Sequence, residues 1–280
     1  MKKLFAFLLA VMMLMVTGCA GQAPAETDTP STQSTEPTKA TEAGPPRYLD
    51  ENGDGRINWF ALGDSITQGY YSVIENGEGK LSFNAKVGWA ALLSRSTGWT
   101  LANSAVGGSG FVHQGTVLDK LSGRDHIDKI DFIAAELVTL AFGVNDWKGN
   151  QKLGSMEDDI QTGGTIYSNM RYIIEKILKD NPDVEIVVIS PLNSCRYGNA
   201  QSGWGLGYSF SRNGTLQDVY DAMKEVCDYY GLPLIDLLHN EEINSDMVNW
   251  FPDGVHPSEE KHARLAEILE EELKKVLPAE

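Results

Sequence analysis

Basic residues are scarce in this chain: 23 Lys and Arg stand against 39 Asp and Glu, for a formal charge of −16. So acidic a surface offers little to phosphate. Nucleic acid is therefore excluded as the expected partner, and an acidic polymer is disfavoured as a ligand. The raw material for metal and nucleotide chemistry is equally thin. No His-Glu-x-x-His segment occurs, the five histidines are scattered, and no lysine follows a glycine run as a phosphate loop requires. The expected metal and cofactor sets are empty. There is also no Gly-x-Ser-x-Gly elbow, which counts against the α/β-hydrolase fold. Cysteines number three, Cys19, Cys195 and Cys227. Cys227 lies on a helix-period apolar stripe with Leu216, Val219, Tyr220, Met223, Val226 and Tyr230, where a buried free thiol is expected. Pairing with Cys195 is chemically permitted outside the cytoplasm but is not readable from spacing.

The N-terminus carries Lys2, Lys3, an apolar run from Leu4 to Val16, and then Thr17-Gly18-Cys19. That run is shorter than the roughly 20 residues a membrane span needs. A charged start, an apolar core and small residues before a cysteine are the parts of an export signal, and the cysteine resembles that of a bacterial lipobox. Residues 1–18 are thus expected to be a lipoprotein signal peptide. Cys19 is expected to be lipidated, and the exported protein to be held at the cell surface by that lipid anchor alone. Residues 20–46 contain no aromatic, Leu, Ile, Val or Met. With nothing to bury, 19–46 is expected to be a disordered tether, setting the folded domain roughly 30 Å from the membrane. Loss of Lys2 and Lys3 with the signal takes the charge from −16 to −18. Residues 47–280 suffice for one domain with a full-sized core.

Within that domain short β-rich runs alternate with helix-period segments. Residues 57–63, 100–104, 137–143, 184–190 and 232–237 read as buried strands. The segments 87–98, 165–181 and 213–230 read as amphipathic helices. The chain closes on a helix with Leu265, Leu269, Leu273 and Val276 on one face and Ser258 placed to cap it. Such alternation implies a five-stranded parallel sheet covered on both faces, with ligands beyond the carboxyl ends of its strands.

Ser65 stands in "NWFALGDSITQGYY", just past the first of those strand ends. A serine hydroxyl is a weak nucleophile and needs a base, a group orienting the base, and donors for the oxyanion it creates. "FPDGVHPSEE" supplies Asp253 and His256, close enough for carboxylate and imidazole to meet on a tight loop. "FGVNDW" supplies Asn145 after the third strand, and "NSAVGGSG" supplies Asn103 and a glycine-rich loop after the second.

"GDSIT", the glycine loop, "GVND" and "DGVH" occur in the order and approximate spacing of the four blocks of the SGNH (GDSL-type) hydrolases, and the chain resembles that superfamily from about residue 57 to 276. The resemblance implies a flavodoxin-like three-layer α/β/α sandwich. It implies Ser65 as nucleophile, His256 as base and Asp253 as its orienting acid. The oxyanion hole would combine the N–H groups of Ser65 and Gly108 with the Asn145 amide, Gly107 competing with Gly108 for its place. It implies a serine ester hydrolase. An acylated carbohydrate, acetylated foremost, is the expected substrate. A lysophospholipase-like lipase or thioesterase and a non-catalytic glycan-binding protein are the rivals.

The remaining residues receive plainer readings. Asp64, Asp146 and Asn103 are expected to strut their loops, and His126, His239 and His262 to be structural or solvated. His113 is expected on the surface. Trp59, Trp89 and Trp99 belong to core runs. Tyr70, Trp147, Trp204, Tyr208 and Trp250 adjoin the four blocks and are expected to line the substrate, the 191–212 segment being long, Gly-rich and suited to stacking on sugars. Asp50, Asn52, Asp54 and Gly55 resemble the start of a calcium loop, but Ala61 stands where its bidentate acid belongs, so an Asx- and Gly-rich turn is expected instead.

Overall fold

The structure is a computed structural model, describing residues 49–112, 123–193 and 209–278. Strand β1 (Asn58–Gly63) runs into the short helix α1 (Ser65–Gln68), and a hairpin of β2 (Tyr70–Glu75) and β3 (Glu78–Phe83) comes after it. Next come α2 (Trp89–Thr97), β4 (Thr100–Asn103), α3 (Gly123–Ile127) and β5 (Leu137–Ala141). Then come α4 (Val144–Lys148), α5 (Ile166–Asp180), β6 (Glu185–Ile189), α6 (Leu216–Tyr230) and β7 (Leu234–Ile235). Helices α7 (Glu241–Ser245), α8 (Met247–Trp250) and α9 (Glu259–Val276) close the chain. Among the described residues no helix is long and apolar enough to cross a membrane.

All five strands expected from the sequence form, and they pair in parallel in the order β4-β1-β5-β6-β7. Their strict alternation feeds two cores. Trp59, Ala61, Leu137, Val187 and Ile189 face α2 and α9, whereas Leu62, Val138, Leu140, Ile186 and Val188 face α5 and α6. Burial on both faces is why these strands read as nearly continuous apolar runs. Trp59 tucks its indole N–H onto Thr139 at 2.9 Å, so its one polar atom is satisfied inside the core. Trp89 is buried beside it and Trp99 half-buried, as the sequence suggested.

Helix ends follow their local chemistry. Thr165 and Thr215 each make a reciprocal capping box, Ser258 caps α9 by accepting from the Lys261 N–H, and Gly98 and Gly231 take the left-handed position that stops α2 and α6. Cys227 is a buried free thiol on the apolar face of α6, its pKa pushed up to about 12 by burial.

The periodicity of the sequence announces neither the β2–β3 hairpin nor the short helices α1, α3, α4, α7 and α8. The hairpin's signal was present in Asn76-Gly77, where both residues have positive φ, 55° and 81°. That is the backbone a two-residue hairpin turn demands. The hairpin is anchored from below by His262, which is fully buried. The Trp89 N–H can only donate, so His262 Nδ1 accepts it, at 3.2 Å; the Tyr70 carbonyl can only accept, so Nε2–H donates to it, at 2.9 Å. One neutral tautomer is thereby selected, and burial lowers its pKa to about 4.

Because the unfolded chain takes up this proton near pH 6.5 and the folded one only near 4, His262 costs the protein stability progressively as pH falls through that window. His262→Gln keeps one acceptor and one donor without a titrating ring. Relative to the parent it should gain about 3 kcal/mol of unfolding free energy between about pH 7 and about pH 4 in urea titrations. A difference constant with pH would show that the ring titrates as if solvated.

Candidate active site

The sheet order reverses at β1, with β4 on one side and β5 on the other. The loops leaving these three strands diverge and open a crevice at their carboxyl ends. Into it the chain delivers Ser65. Gly63 ends β1 where any Cβ would press on Thr67 and on the Ala141 carbonyl 2.9 Å away. Asp64 then caps α1 by accepting from the Ile66 N–H at 2.9 Å, which leaves Ser65 as the first helical residue.

Across the crevice, Ser65 Oγ lies 2.9 Å from His256 Nε2, and His256 Nδ1 lies 2.7 Å from Asp253 Oδ2. Since an ionised carboxylate only accepts, the imidazole proton sits on Nδ1, and the Nε2 lone pair faces the serine hydroxyl. The other oxygen, Asp253 Oδ1, accepts from the N–H groups of Val255 and His256 at 2.9 and 2.7 Å. Burial alone would raise the Asp253 pKa. The hydrogen bond and charge of His256 and those two N–H groups outweigh it and hold the carboxyl below the usual carboxylate range.

The imidazole is also fixed through its backbone. Buried Ser72 on β2 donates its hydroxyl to the His256 carbonyl at 2.6 Å, and its N–H to the Pro257 carbonyl at 3.0 Å. On β3, a side chain at Gly79 would overlap the Pro252 carbonyl. The hairpin thus braces the loop carrying both Asp253 and His256, a role that was missed from sequence along with the hairpin itself.

On the far side of Ser65 stands the glycine loop. The Ser109 N–H bonds to the Val106 carbonyl at 3.0 Å, closing a turn with Gly108 at its left-handed position, φ 80°. The Gly107 N–H is committed to Gln68 Oε1 at 2.7 Å, whereas that of Gly108 has no acceptor among the described residues. Asn145, second residue of α4, donates Nδ2 to the Ser109 carbonyl at 2.9 Å and more loosely to Asp64 Oδ2 at 3.3 Å.

Asp64, Asp146 and Asn103 are struts, as their positions suggested. Asp146 accepts from the N–H groups of Phe111 and Val112 at 2.9 and 2.8 Å. Asn103 bridges Thr67 O and the Ala105 N–H. Burial pushes the Asp64 pKa up to about 6 and that of Asp146 up to about 7, the latter raised further by the charge of Asp64.

Two expected substrate contacts need correction. Trp147 and Trp250 are each only 1% exposed. They sit on turns of α4 and α8 that face inward, Trp147 against Phe210 and Trp250 against Phe251, so neither can touch a ligand. Tyr70 is half-buried, its ring centroid 6.4 Å from that of His256. Cys19, His113, Cys195, Trp204 and Tyr208 lie outside the described residues. His239 is exposed and bonded to Asp236 and Gln217. In the Asp50–Asp54 turn the Asp and Asn side chains accept from the backbone N–H groups of Asp54, Gly55 and Arg56. Among the described residues no group of three or more acid, His or Cys side chains is disposed to hold a metal.

A hydroxyl on an imidazole backed by a carboxylate, with N–H donors across from it, is equipped for acyl transfer. The sequence profile of the GDSL-like lipase/acylhydrolase family matches residues 61–264, and the chain belongs to that family. It is an ester hydrolase with the SGNH fold, a five-stranded parallel sheet between helical layers. No curated protein sequence matches it significantly. Similar solved structures include a possible lipase from Chitinophaga pinensis, at 20% identity and TM-score 0.53, with 79% of this chain and 98% of that one covered. Est24, a carbohydrate acetylesterase from Sinorhizobium meliloti, is 15% identical with TM-score 0.58 over 79% of this chain and all of its own. A family two carbohydrate esterase from Clostridium thermocellum, solved with cellohexaose, is 19% identical with TM-score 0.55, over 85% of this chain and 67% of that one.

Proposed function

We propose that the protein is a surface-anchored serine esterase that removes short acyl groups, acetyl foremost, from carbohydrate. The observation that carries the chemistry is the 2.9 Å approach of Ser65 Oγ to His256 Nε2, with Asp253 behind the ring. In this reading His256 takes the hydroxyl proton as Ser65 attacks the ester carbonyl. Asp253 keeps the ring oriented and stabilises the imidazolium. The tetrahedral oxyanion is held by the N–H groups of Ser65 and Gly108 and by the Asn145 amide; His256 then protonates the departing alcohol, and water repeats the sequence to free the acid. The commitment of the Gly107 N–H to Gln68 favours Gly108 as the backbone donor. Asn145 would turn one amide hydrogen from its long contact with Asp64 to the oxyanion, keeping the shorter bond to Ser109.

Fold neighbours named as carbohydrate esterases support the sugar reading. The charged start, the apolar run and the small residues before Cys19, followed by a stretch with no aromatic, Leu, Ile, Val or Met, support a domain, residues 47–280, carried on lipidated Cys19. Cys19→Ser should move the protein from the membrane fraction of its host to the soluble one; persistence in the membrane fraction would count against lipidation.

Turnover of nitrophenyl acetate should exceed that of the octanoate, with acetylated oligosaccharides cleaved and lysophospholipids spared. The reverse order would make the enzyme a lysophospholipase-like lipase. Glycan binding with no turnover of any activated ester would make it a binding protein. Asn145→Ala should lower kcat by about a hundred- to a thousandfold in a protein that melts normally. Near-normal turnover would remove Asn145 from the oxyanion hole.

A further inference from the structure

We propose that the β2–β3 hairpin is the subsite for the leaving alcohol, with Tyr70 and Phe83 forming an aromatic floor for the apolar face of a sugar ring. This rests on the roles proposed for Ser65 and His256 and states on which side of the reacting carbon the carbohydrate lies.

Strand register defines the surface. Tyr70 pairs with Phe83, Ser72 with Leu81 and Ile74 with Gly79, so these six residues share one face. That face turns toward the 251–258 loop, where Ser72 meets the His256 carbonyl and Gly79 lies against Pro252. The loop covers only part of it. Ser72 is buried, yet Leu81 is 52% and Phe83 50% exposed, so an apolar strip emerges from beneath the loop into solvent.

Tyr70 connects that strip to the reacting centre. A methyl group added at Gly107 would stand 3.3 Å from the Tyr70 ring and 3.7 Å from Ser65 Cβ, so ring, glycine and nucleophile border one space. The Tyr70 and Phe83 centroids are 4.7 Å apart with planes at 43°. The two rings pack at an angle, half-buried Tyr70 next to Gly107 and Phe83 half exposed.

Proton transfer assigns the occupant. The Ser65 oxygen forms a bond to the carbonyl carbon, and its proton passes to His256 Nε2. When the intermediate collapses, the bond to the alkoxy oxygen breaks and the same proton goes to that oxygen. The departing oxygen must therefore lie within hydrogen-bond reach of Nε2, which puts the alcohol on the imidazole side and the acyl group away from it. The Tyr70 ring centroid stands 6.4 Å from that of His256, and Phe83 packs on Tyr70. An open aromatic platform suits the C–H face of a pyranose, whereas an aliphatic chain is served by an enclosed slot.

The test uses the purified full chain, Phe83→Ala and Phe83→Trp. Two ratios of kcat/KM are measured: acetylated cello-oligosaccharide to ethyl acetate, which varies the alcohol, and ethyl octanoate to ethyl acetate, which varies the acyl group. In Phe83→Ala the first ratio should fall about five- to tenfold while the second holds, and Phe83→Trp should restore the first. A change in the acyl ratio with the alcohol ratio constant, or no change in either, would overturn the assignment. If the parent enzyme does not cleave acetylated sugars, the carbohydrate reading itself fails. The alcohol-side assignment is then read from 2-naphthyl acetate against ethyl acetate, a ratio that must still fall in Phe83→Ala.

Discussion

The bond from His256 Nδ1–H to Asp253 is the constraint on which the site depends, because without it the ring could neither keep its tautomer nor face Ser65. It is made between residues three apart on one loop, yet the loop does not hold itself. Asp253 commits one oxygen to the ring and the other to two backbone N–H groups, and those donors keep it ionised despite burial. The His256 carbonyl is tied to Ser72, Pro252 packs on the backbone of Gly79, and Ser258 begins α9 immediately behind. A flexible connection has been made rigid by a hairpin in front and a helix after it, as a preorganised site requires.

The opposite wall is built on buried acids. Asp64 caps the nucleophile turn and reaches Asn145, and Asp146 gathers the N–H groups of Phe111 and Val112. Together they tie the loops after β1, β4 and β5 into one body. Desolvation makes their ionisation costly, which their raised pKa values record. The backbone donors offset part of that cost. Stability has been given up for position at the point where the loops after β1, β4 and β5 meet.

Much of this was legible in one dimension. Parallel strands buried on both faces leave unbroken apolar runs, so the sheet could be read directly, and a parallel sheet implies a crevice at its carboxyl edge. Ser65, the glycine loop and Asn145 each follow a strand, and Asp253 and His256 precede the last helix by a few residues. The hairpin was overlooked because its strands carry Ser, Glu and Lys among their apolar residues, although Asn76-Gly77 marked its turn. Trp147 and Trp250 were assigned to open loops because a neighbouring catalytic-type block does not reveal which way a short helical turn faces. That direction is set by what the rest of the chain packs against them.

From the sequence alone came the order of the five sheet strands and the four long helices, the strand ends that carry reactive side chains, and the chemical types assembled there, because periodicity and residue identity are local properties. Only the tertiary structure decided that Ser65 and His256, 191 residues apart, stand at hydrogen-bond distance. It also decided that Gly107 rather than Gly108 has its N–H already taken, and that an unanticipated hairpin lies beside the imidazole. These are relations between distant segments, and they exist only once packing has brought the segments together.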